Sequence, residues 1–408
     1  MASIDKRKNG TFRIRVSNGM QNGKQELISA TYKPTPGYTE KEILKQVNEF
    51  ALMFENAVRA GKIKSGRKTN DIAIKAMTIT LEEFIDEYYF DRKENSFSPN
   101  TIPFYRSVIR QFLCPAYGNI RLIDITAEHL QNFVNCLSEP GMRADETNEE
   151  ALSAATVKRY STVFRSIMRE AHRIGFTEEY TFCNTDIDYP KIKKSELDVY
   201  TQEETNWFFE ELQNESAKYR AMLLSALFLG LRRAEIVALK WSDIDFEKKC
   251  VYVHQSAYKV PDKKQSLKAP KSSAGIRTIF FTDIFSEALF EWMSEQETEK
   301  ENSTGNWNDQ DYIFTGKNGN MMSVDTPSKI CSKFEERANL RHLKLHGLRH
   351  TCASLMLANS IDIETVRDIL GHEDIKTTEI YLHAYDTNKK NAANVLGSVI
   401  GKSTSKCL

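Results

Sequence analysis

Three Thr-x-x-Glu boxes stand directly ahead of apolar stripes with helical spacing: Thr39 with Glu42, Thr80 with Glu83, and Thr201 with Glu204. In such a box the threonine hydroxyl and the glutamate carboxylate each satisfy a backbone N–H at a helix start, so each box marks a helix beginning. Behind Thr39, residues Ile43, Leu44, Val47, Phe50, Phe54 and Val58 fall on one stripe. Behind Thr80 come Phe84, Ile85, Tyr88 and Tyr89. The 408 residues are enough for two or three domains.

The first segment opens with a different period. In "TFRIRVS" the apolar Phe12, Ile14 and Val16 alternate with Arg13 and Arg15. Period two puts one face in a core and leaves the other basic. "SNGMQNGK" supplies turn residues and "QELISATYK" reads as a second strand. Residues 1–80 hold 15 Lys/Arg against 7 Asp/Glu, although the whole chain carries 56 of each. A basic module on an otherwise acidic chain points to a polyanionic partner. A small sheet braced by the Thr39 helix, with Arg13 and Arg15 on its free face, suits a DNA major groove.

"AGKIKSGRKTND" (60–71) reads as a linker. Four amphipathic helices follow, starting at Thr80 and then in "SFSPNTIPFYRSVIRQFL", "TAEHLQNFVNCL" and "SAATVKRYSTVFRSIMREAHRIG", with an acidic loop "EPGMRADETNEE" before the last. A second linker (189–205) leads to Thr201. Beyond it lie a helix pair, a strand "KKCVYV", a lysine-rich hairpin "KAPKSSAGIRTIFF" and mainly helical sequence. The expected division is 1–66, 67–188, 195–385 and a tail, 386–408.

No apolar run approaches the ~20 residues of a membrane helix, and "MASIDKRKNG" has no signal-peptide core behind its charges. The seven cysteines are scattered without a CxxC pair. These features predict a cytoplasmic protein with neither a zinc module nor a membrane association.

Three segments of the last third carry the chemistry. "GLRRAEIVALKWSDID" contains Arg232, Arg233 and Glu235. "HGLRHTCASLMLANS" contains His346, Arg349 and His350. "LGHEDIKTTEIYLHAY" contains His372, Tyr381, His383 and Tyr385, and Lys271 lies between the first two segments. Arginine forks match phosphate oxygens and stabilise charge growing on phosphorus. A tyrosine can attack phosphorus, though its pKa of ~10 calls for a base or nearby cations. A histidine can accept the proton, and a lysine can protonate a departing oxygen. The set suits phosphoryl transfer through a phosphotyrosine without metal or other cofactor. A zinc site from His346, His350, His372 and His383 lacks cysteine or a carboxylate at metal spacing.

The order of these segments resembles the signature boxes of the tyrosine recombinase family: G-L-R-x-x-E, H-x-L-R-H, and L-G-H followed by T-T-x-x-Y-x-H. The resemblance implies an α+β arm-binding domain, an all-α core-binding domain, and a mainly α catalytic domain with a small antiparallel sheet. It implies that Arg232 and Arg349 clamp the scissile phosphate. His346 bonds the phosphate or assists the nucleophile, and His372 holds phosphate and tyrosine in register. Lys271, or Lys268 close by, protonates the leaving 5′-oxygen. Tyr381 is the nucleophile, with Tyr385 one turn further on as the alternative. Glu235 orients Arg232, Arg233 is a surface or structural arginine, and His350 stands behind the residues that touch the phosphate and bonds helix backbone. The implied function is a site-specific recombinase that integrates and excises a mobile element, acting as a tetramer on core-type and arm-type double-stranded DNA sites, with excisionase and DNA-bending accessory proteins. Rival readings are a related topoisomerase or a non-catalytic DNA-binding regulator. The tail's Ala392, Ala393, Val395, Leu396, Val399 and Ile400 form an apolar face that packs on a neighbouring subunit or in cis.

Overall fold

The computed structural model describes residues 2–21, 24–34, 38–63, 69–142, 150–177, 187–192, 197–260, 263–270 and 272–383. The chain forms two compact units, Met1–Lys193 and Lys194–Leu408.

The first unit begins with an antiparallel sheet in the order β1 (Ser3–Lys6), β2 (Phe12–Gln21), β3 (Lys24–Tyr32). Alternation turns Phe12, Ile14 and Val16, with Ile28, Ala30 and Tyr32, onto the helix Glu40–Arg59. That helix answers with Val47, Phe50, Ala51, Phe54 and Val58, and each large buried apolar side chain contributes about 1.5–3 kcal/mol. Leu44 lies outside the stripe expected for it and is 48% exposed. The Thr39–Glu42 box is formed, with the Thr39 N–H donating to Glu42 Oε2 at 2.8 Å. β1 gave no sequence signal because all four of its residues are exposed and none has to be apolar.

The expected linker over 60–71 is only partly a linker. Ile63 is buried, and a helix runs from Thr69 to Ala76. Ala73, Ile74 and Met77 pack on the sheet-and-helix core, while Ala76 and Ile79 belong to the next core. The segment was opaque to composition because its polar residues precede a helix of only two turns. The next core is helical: Leu81–Phe84 widening through Ile85–Tyr89, Thr101–Val108 widening through Ile109–Leu113, then Ala127–Leu137 and Ala154–Arg173. Its centre is Phe84, Tyr89, Leu113, Leu130, Phe164 and Ile167.

The second unit is built around the helix Ala217–Leu227, which is buried on nearly every side. Helices Asp283–Asn302, Thr326–Arg337 and Leu345–Ala358 surround it. One sheet has the order β4 (Ile244–Asp245), β5 (Cys250–Val253), β8 (Arg277–Phe280). A second pairs β6 (Ser256–Val260) with β7 (Lys263–Lys268). This corrects the hairpin expected across "KAPKSSAGIRTIFF": β7 pairs back to β6 and β8 pairs with β5, so residues 269–276 join two sheets. The register follows burial. Ile279 faces the core opposite Val251, which leaves Phe280 72% exposed. No helix among the described residues is long and apolar enough to cross a membrane.

Candidate active site

Four elements of the second unit bring the site together. Arg232 is the N-cap of the short helix Arg233–Ala238. The helix Leu345–Ala358 carries His346, Arg349 and His350, which fall on one face because they are three and four residues apart. The helix Ile363–Leu370 stops at Gly371, whose φ of 66° is left-handed. A Cβ there would sit 2.9 Å from the Ala274 carbonyl oxygen, so glycine fits both the turn and the close approach. His372 follows at once, and a 3-10 turn, Ile380–His383, presents Tyr381.

Backbone carbonyls orient the arginines. Arg349 is 1% exposed. Its Nη1 donates to Gly230 O at 2.5 Å and its Nη2 to Leu370 O at 2.6 Å, while its Nε, also buried, has no hydrogen-bond partner among the described residues. Burial first, and the facing Arg232 second, push its pKa down. An arginine starts above 12, so the charge survives at neutral pH. Arg232 donates from Nη2 to Gly371 O at 3.1 Å and from Nη1 to Glu235 Oε1 at 2.7 Å; its backbone N–H reaches Glu235 Oε2 at 2.9 Å. Glu235 therefore orients Arg232.

Glu235 also holds a third guanidinium, from a residue not among those expected at the site. Arg277 on β8 donates to both carboxylate oxygens, at 3.2 and 2.9 Å, and from Nε to Ile369 O at 2.6 Å. Burial opposes the charge on Glu235, but Arg277 and then Arg232 outweigh it and hold the pKa down at about 2. The signal for Arg277 was present in "AGIRTIFF", where the arginine stands two residues before the inward Ile279 and so on the same strand face. Only the fold reveals that it meets Glu235.

The aromatic groups converge on Tyr381, which is 2% exposed and packs with Ala353, Leu357, Val366 and Leu370. Its hydroxyl lies 2.8 Å from His350 Nδ1. This corrects the expectation that His350 bonds helix backbone; that histidine is one turn from His346, and spacing alone did not say which ring meets the tyrosine. The His346 and His350 ring centroids are 4.5 Å apart. His346 stands at the exposed edge and makes no hydrogen bond among the described residues. His372 stacks near Tyr381 with centroids 6.3 Å apart, and its Nδ1 lies 2.9 Å from Thr378 Oγ1. Burial, followed by neighbouring cations, lowers the pKa of both His350 and His372 to about 4, so both rings are neutral at pH 7. Burial raises the Tyr381 pKa against the opposing pull of Arg349 and Arg232.

Arg232, His346, Arg349, His372 and Tyr381 thus share one site. Arg233 instead pairs with Asp325 at 3.2 Å. Lys271, Tyr385 and the tail 386–408 lie outside the described residues; Lys268, at the end of β7, places its ammonium 5.4 Å from the Tyr258 ring centroid. Arg13 is exposed, and Arg15 pairs with Asp5. Among the described residues no group of three His, Cys, Asp or Glu side chains is arranged to hold a metal. Arg232 and His346 also line an open groove of about 500 Å³ with Arg233, Ser328 and Lys344.

Among the described residues, guanidinium groups, neutral imidazoles and a buried phenol meet here, with one carboxylate turned to the arginines. Comparison with known proteins fixes the family. Residues 198–388 match the phage integrase family, and residues 80–138 match the phage integrase N-terminal SAM-like domain. A "Tyrosine recombinase XerC-like" protein of Caldanaerobacter subterraneus subsp. tengcongensis is 27% identical, with 96% of this chain and 97% of that protein aligned. The ICEBs1 integrase of Bacillus subtilis is 24% identical over 98% of this chain and 100% of its own length. Among solved structures, a Tn1549 transposon integrase in complex with transposon right end DNA superposes with a TM-score of 0.64 at 16% identity, covering 78% of this chain and all of that one. A lambda integrase dimer bound to a core site gives 0.51 at 18% identity, covering 94% of this chain and 95% of that one. The chain belongs to the tyrosine recombinase family of phage and transposon integrases, enzymes that break and rejoin DNA strands.

Proposed function

We propose that this chain is the site-specific integrase of a mobile genetic element, acting in the cytoplasm on double-stranded DNA. The observation that carries the reading is the convergence of Arg232 and Arg349, each oriented by backbone carbonyls, on the buried Tyr381, whose hydroxyl feels both positive charges. The two forks grip the non-bridging oxygens of the scissile phosphate. Tyr381 attacks phosphorus, the DNA 3′ end becomes a phosphotyrosine, and the 5′-oxygen leaves with a proton from Lys271. His372, steadied by Thr378, keeps tyrosine and phosphate in register, and His346 at the edge bonds the phosphate. A 5′-hydroxyl of the partner duplex then displaces the tyrosine. The ester link conserves the energy of the broken bond, so rejoining needs no nucleotide.

The division of labour follows the modules. Residues 1–66 read arm-type sites, with Arg13 on the exposed sheet face. Residues 67–188 hold the core site and 195–385 cut it. Residues 386–408 contact a neighbouring subunit in a tetramer. Excisionase and DNA-bending proteins set direction. The test is a nicked duplex copied from the end of the element, resolved on a denaturing gel. The unaltered chain should leave a covalent protein–DNA band, and Tyr381→Phe should leave none, because the atom that bonds phosphorus is gone. Binding should survive, since one hydroxyl adds little beside many phosphate contacts. A band that persists in Tyr381→Phe and vanishes in Tyr385→Phe would move the nucleophile one turn along.

A further inference from the structure

The chemistry above leaves one proton without a destination, that of the Tyr381 phenol. Burial keeps it on the oxygen until attack. His346 was the expected helper, yet its ring stands at the edge of the site and does not bond the tyrosine. Among the described residues the hydrogen-bond partner of the Tyr381 oxygen is His350 Nδ1, at 2.8 Å, with ring centroids 5.3 Å apart. That is the heavy-atom reach required of a general base. His350 sits on the same helix as Arg349, so the base and the phosphate clamp move as one rigid piece.

Building on the proposed function, we propose that His350 is a catalytic residue: it takes the Tyr381 proton as the phenol oxygen attacks phosphorus and returns it when the strand is rejoined. In cleavage the Tyr381 Oη–P bond forms and the P–O5′ bond breaks. The phenol proton passes to His350 Nδ1, and the leaving 5′-oxygen takes a proton from Lys271. In rejoining the incoming 5′-hydroxyl gives its proton back to the lysine, the P–O5′ bond re-forms, and Oη departs with the proton held on Nδ1. With the phenol donating, the neutral ring carries its own hydrogen on Nε2 and offers Nδ1 as acceptor. Burial, then His346 and Arg349, disfavour imidazolium in the free protein. A phosphate anion between the arginines offsets the charge of Arg349 and makes the ring a better base when substrate is bound.

The test uses the full chain with His350→Ala and His350→Asn on two probes. One is the nicked duplex copied from the element's end, which reports cleavage. The other is the same strand with its 3′-phosphate esterified to p-nitrophenol, which a free 5′-hydroxyl strand attacks. There p-nitrophenolate leaves without an acid, so joining by-passes both Tyr381 and its base. Both variants should lose roughly 10²-fold or more in cleavage while retaining joining of the activated strand. Asparagine keeps a hydrogen-bonding group near the Nδ1 position but cannot hold the proton, so it should not rescue. Joining that falls as far as cleavage would make His350 a structural residue and overturn the proposal. Cleavage restored by asparagine would reduce it to a hydrogen bond and overturn it equally. If the unaltered chain neither cleaves nor joins, the integrase reading fails and the role of His350 goes with it; if the unaltered chain cleaves and joins, the variants alone decide.

Discussion

Glu235→Gln removes the one carboxylate that balances the arginine cluster. Its two oxygens accept four hydrogen bonds, from the Arg232 backbone N–H, Arg232 Nη1, Arg277 Nη1 and Arg277 Nη2. Glutamine preserves the shape but offers a single accepting oxygen and turns an amide N–H toward guanidinium donors. Arg277, whose side chain is 6% exposed, is left buried without its counter-charge. Breaking a buried pair in this way costs about 3–5 kcal/mol. The depressed pKa of Glu235 gives the same scale. The arginines hold the Glu235 pKa at about 2 against an ordinary 4.5, a difference worth roughly 3 kcal/mol. Because the folded-state pKa is depressed, that stabilisation is present above pH 4.5 and is lost as the pH falls toward 2. The assay is calorimetry of the full chain, following the transition of the 194–408 unit. At pH 7 the variant should melt roughly 10 °C below the unaltered protein. The gap should close between pH 4.5 and 2. His350 and His372 act in a separate window. Their folded-state pKa values near 4 lie below the ordinary 6.5, so the unfolded chain protonates first and both proteins lose stability together as pH falls from 6.5 to 4. A gap under about 1 kcal/mol at pH 7, or one that does not change between pH 4.5 and 2, would refute the reasoning.

Two further expectations follow from the charges and the packing. Since guanidinium and ammonium groups supply the cations, covalent adduct formation should proceed in excess EDTA; adduct lost to the chelator and restored by zinc would contradict this. Truncating the arm module should weaken arm-site binding and flatten its salt dependence while core-site cleavage persists. The cut belongs after Ile74 and not after residue 66, because Ala73 and Ile74 pack on the module that is removed while Ala76 belongs to the core that is kept. A folded truncation that binds arm sites with an unchanged salt slope would end that assignment.

What could be read in the sequence, and what could not, divides by the range of the interaction. The three threonine boxes, the stripe through Val47, Phe50, Phe54 and Val58, and the alternation around Ile14 are local, and all are formed in the fold. The family resemblance rested on residue order and brought Arg232, Arg349, His372 and Tyr381 forward together. Strand pairing was not local: β8 and β7 are neighbours in sequence yet belong to different sheets, because Ile279 finds its buried partner in Val251. The two departures at the site have the same origin. Arg277 acts through Glu235, 42 residues away, and His350 meets Tyr381, 31 residues away. Neither pairing leaves a trace in spacing.

The charge count at the site explains why Arg349 leans on carbonyls. Three guanidinium groups, from Arg232, Arg277 and Arg349, face one carboxylate, from Glu235, and the buried histidines are neutral. The interior therefore carries an excess of two positive charges before any lysine is added. A phosphodiester brings one negative charge; the five-coordinate phosphorus formed when tyrosine attacks brings two. The site is matched to the second more closely than to the first, which is the condition for lowering a barrier and not merely tightening binding. A carboxylate in place of the Gly230 and Leu370 carbonyls would hold Arg349 as firmly, but it would cancel half of that excess. Carbonyl dipoles fix the fork and leave its charge for phosphorus, and they can do so only because Gly230 and Gly371 turn through left-handed backbone, bringing the ends of two helices against the guanidinium groups.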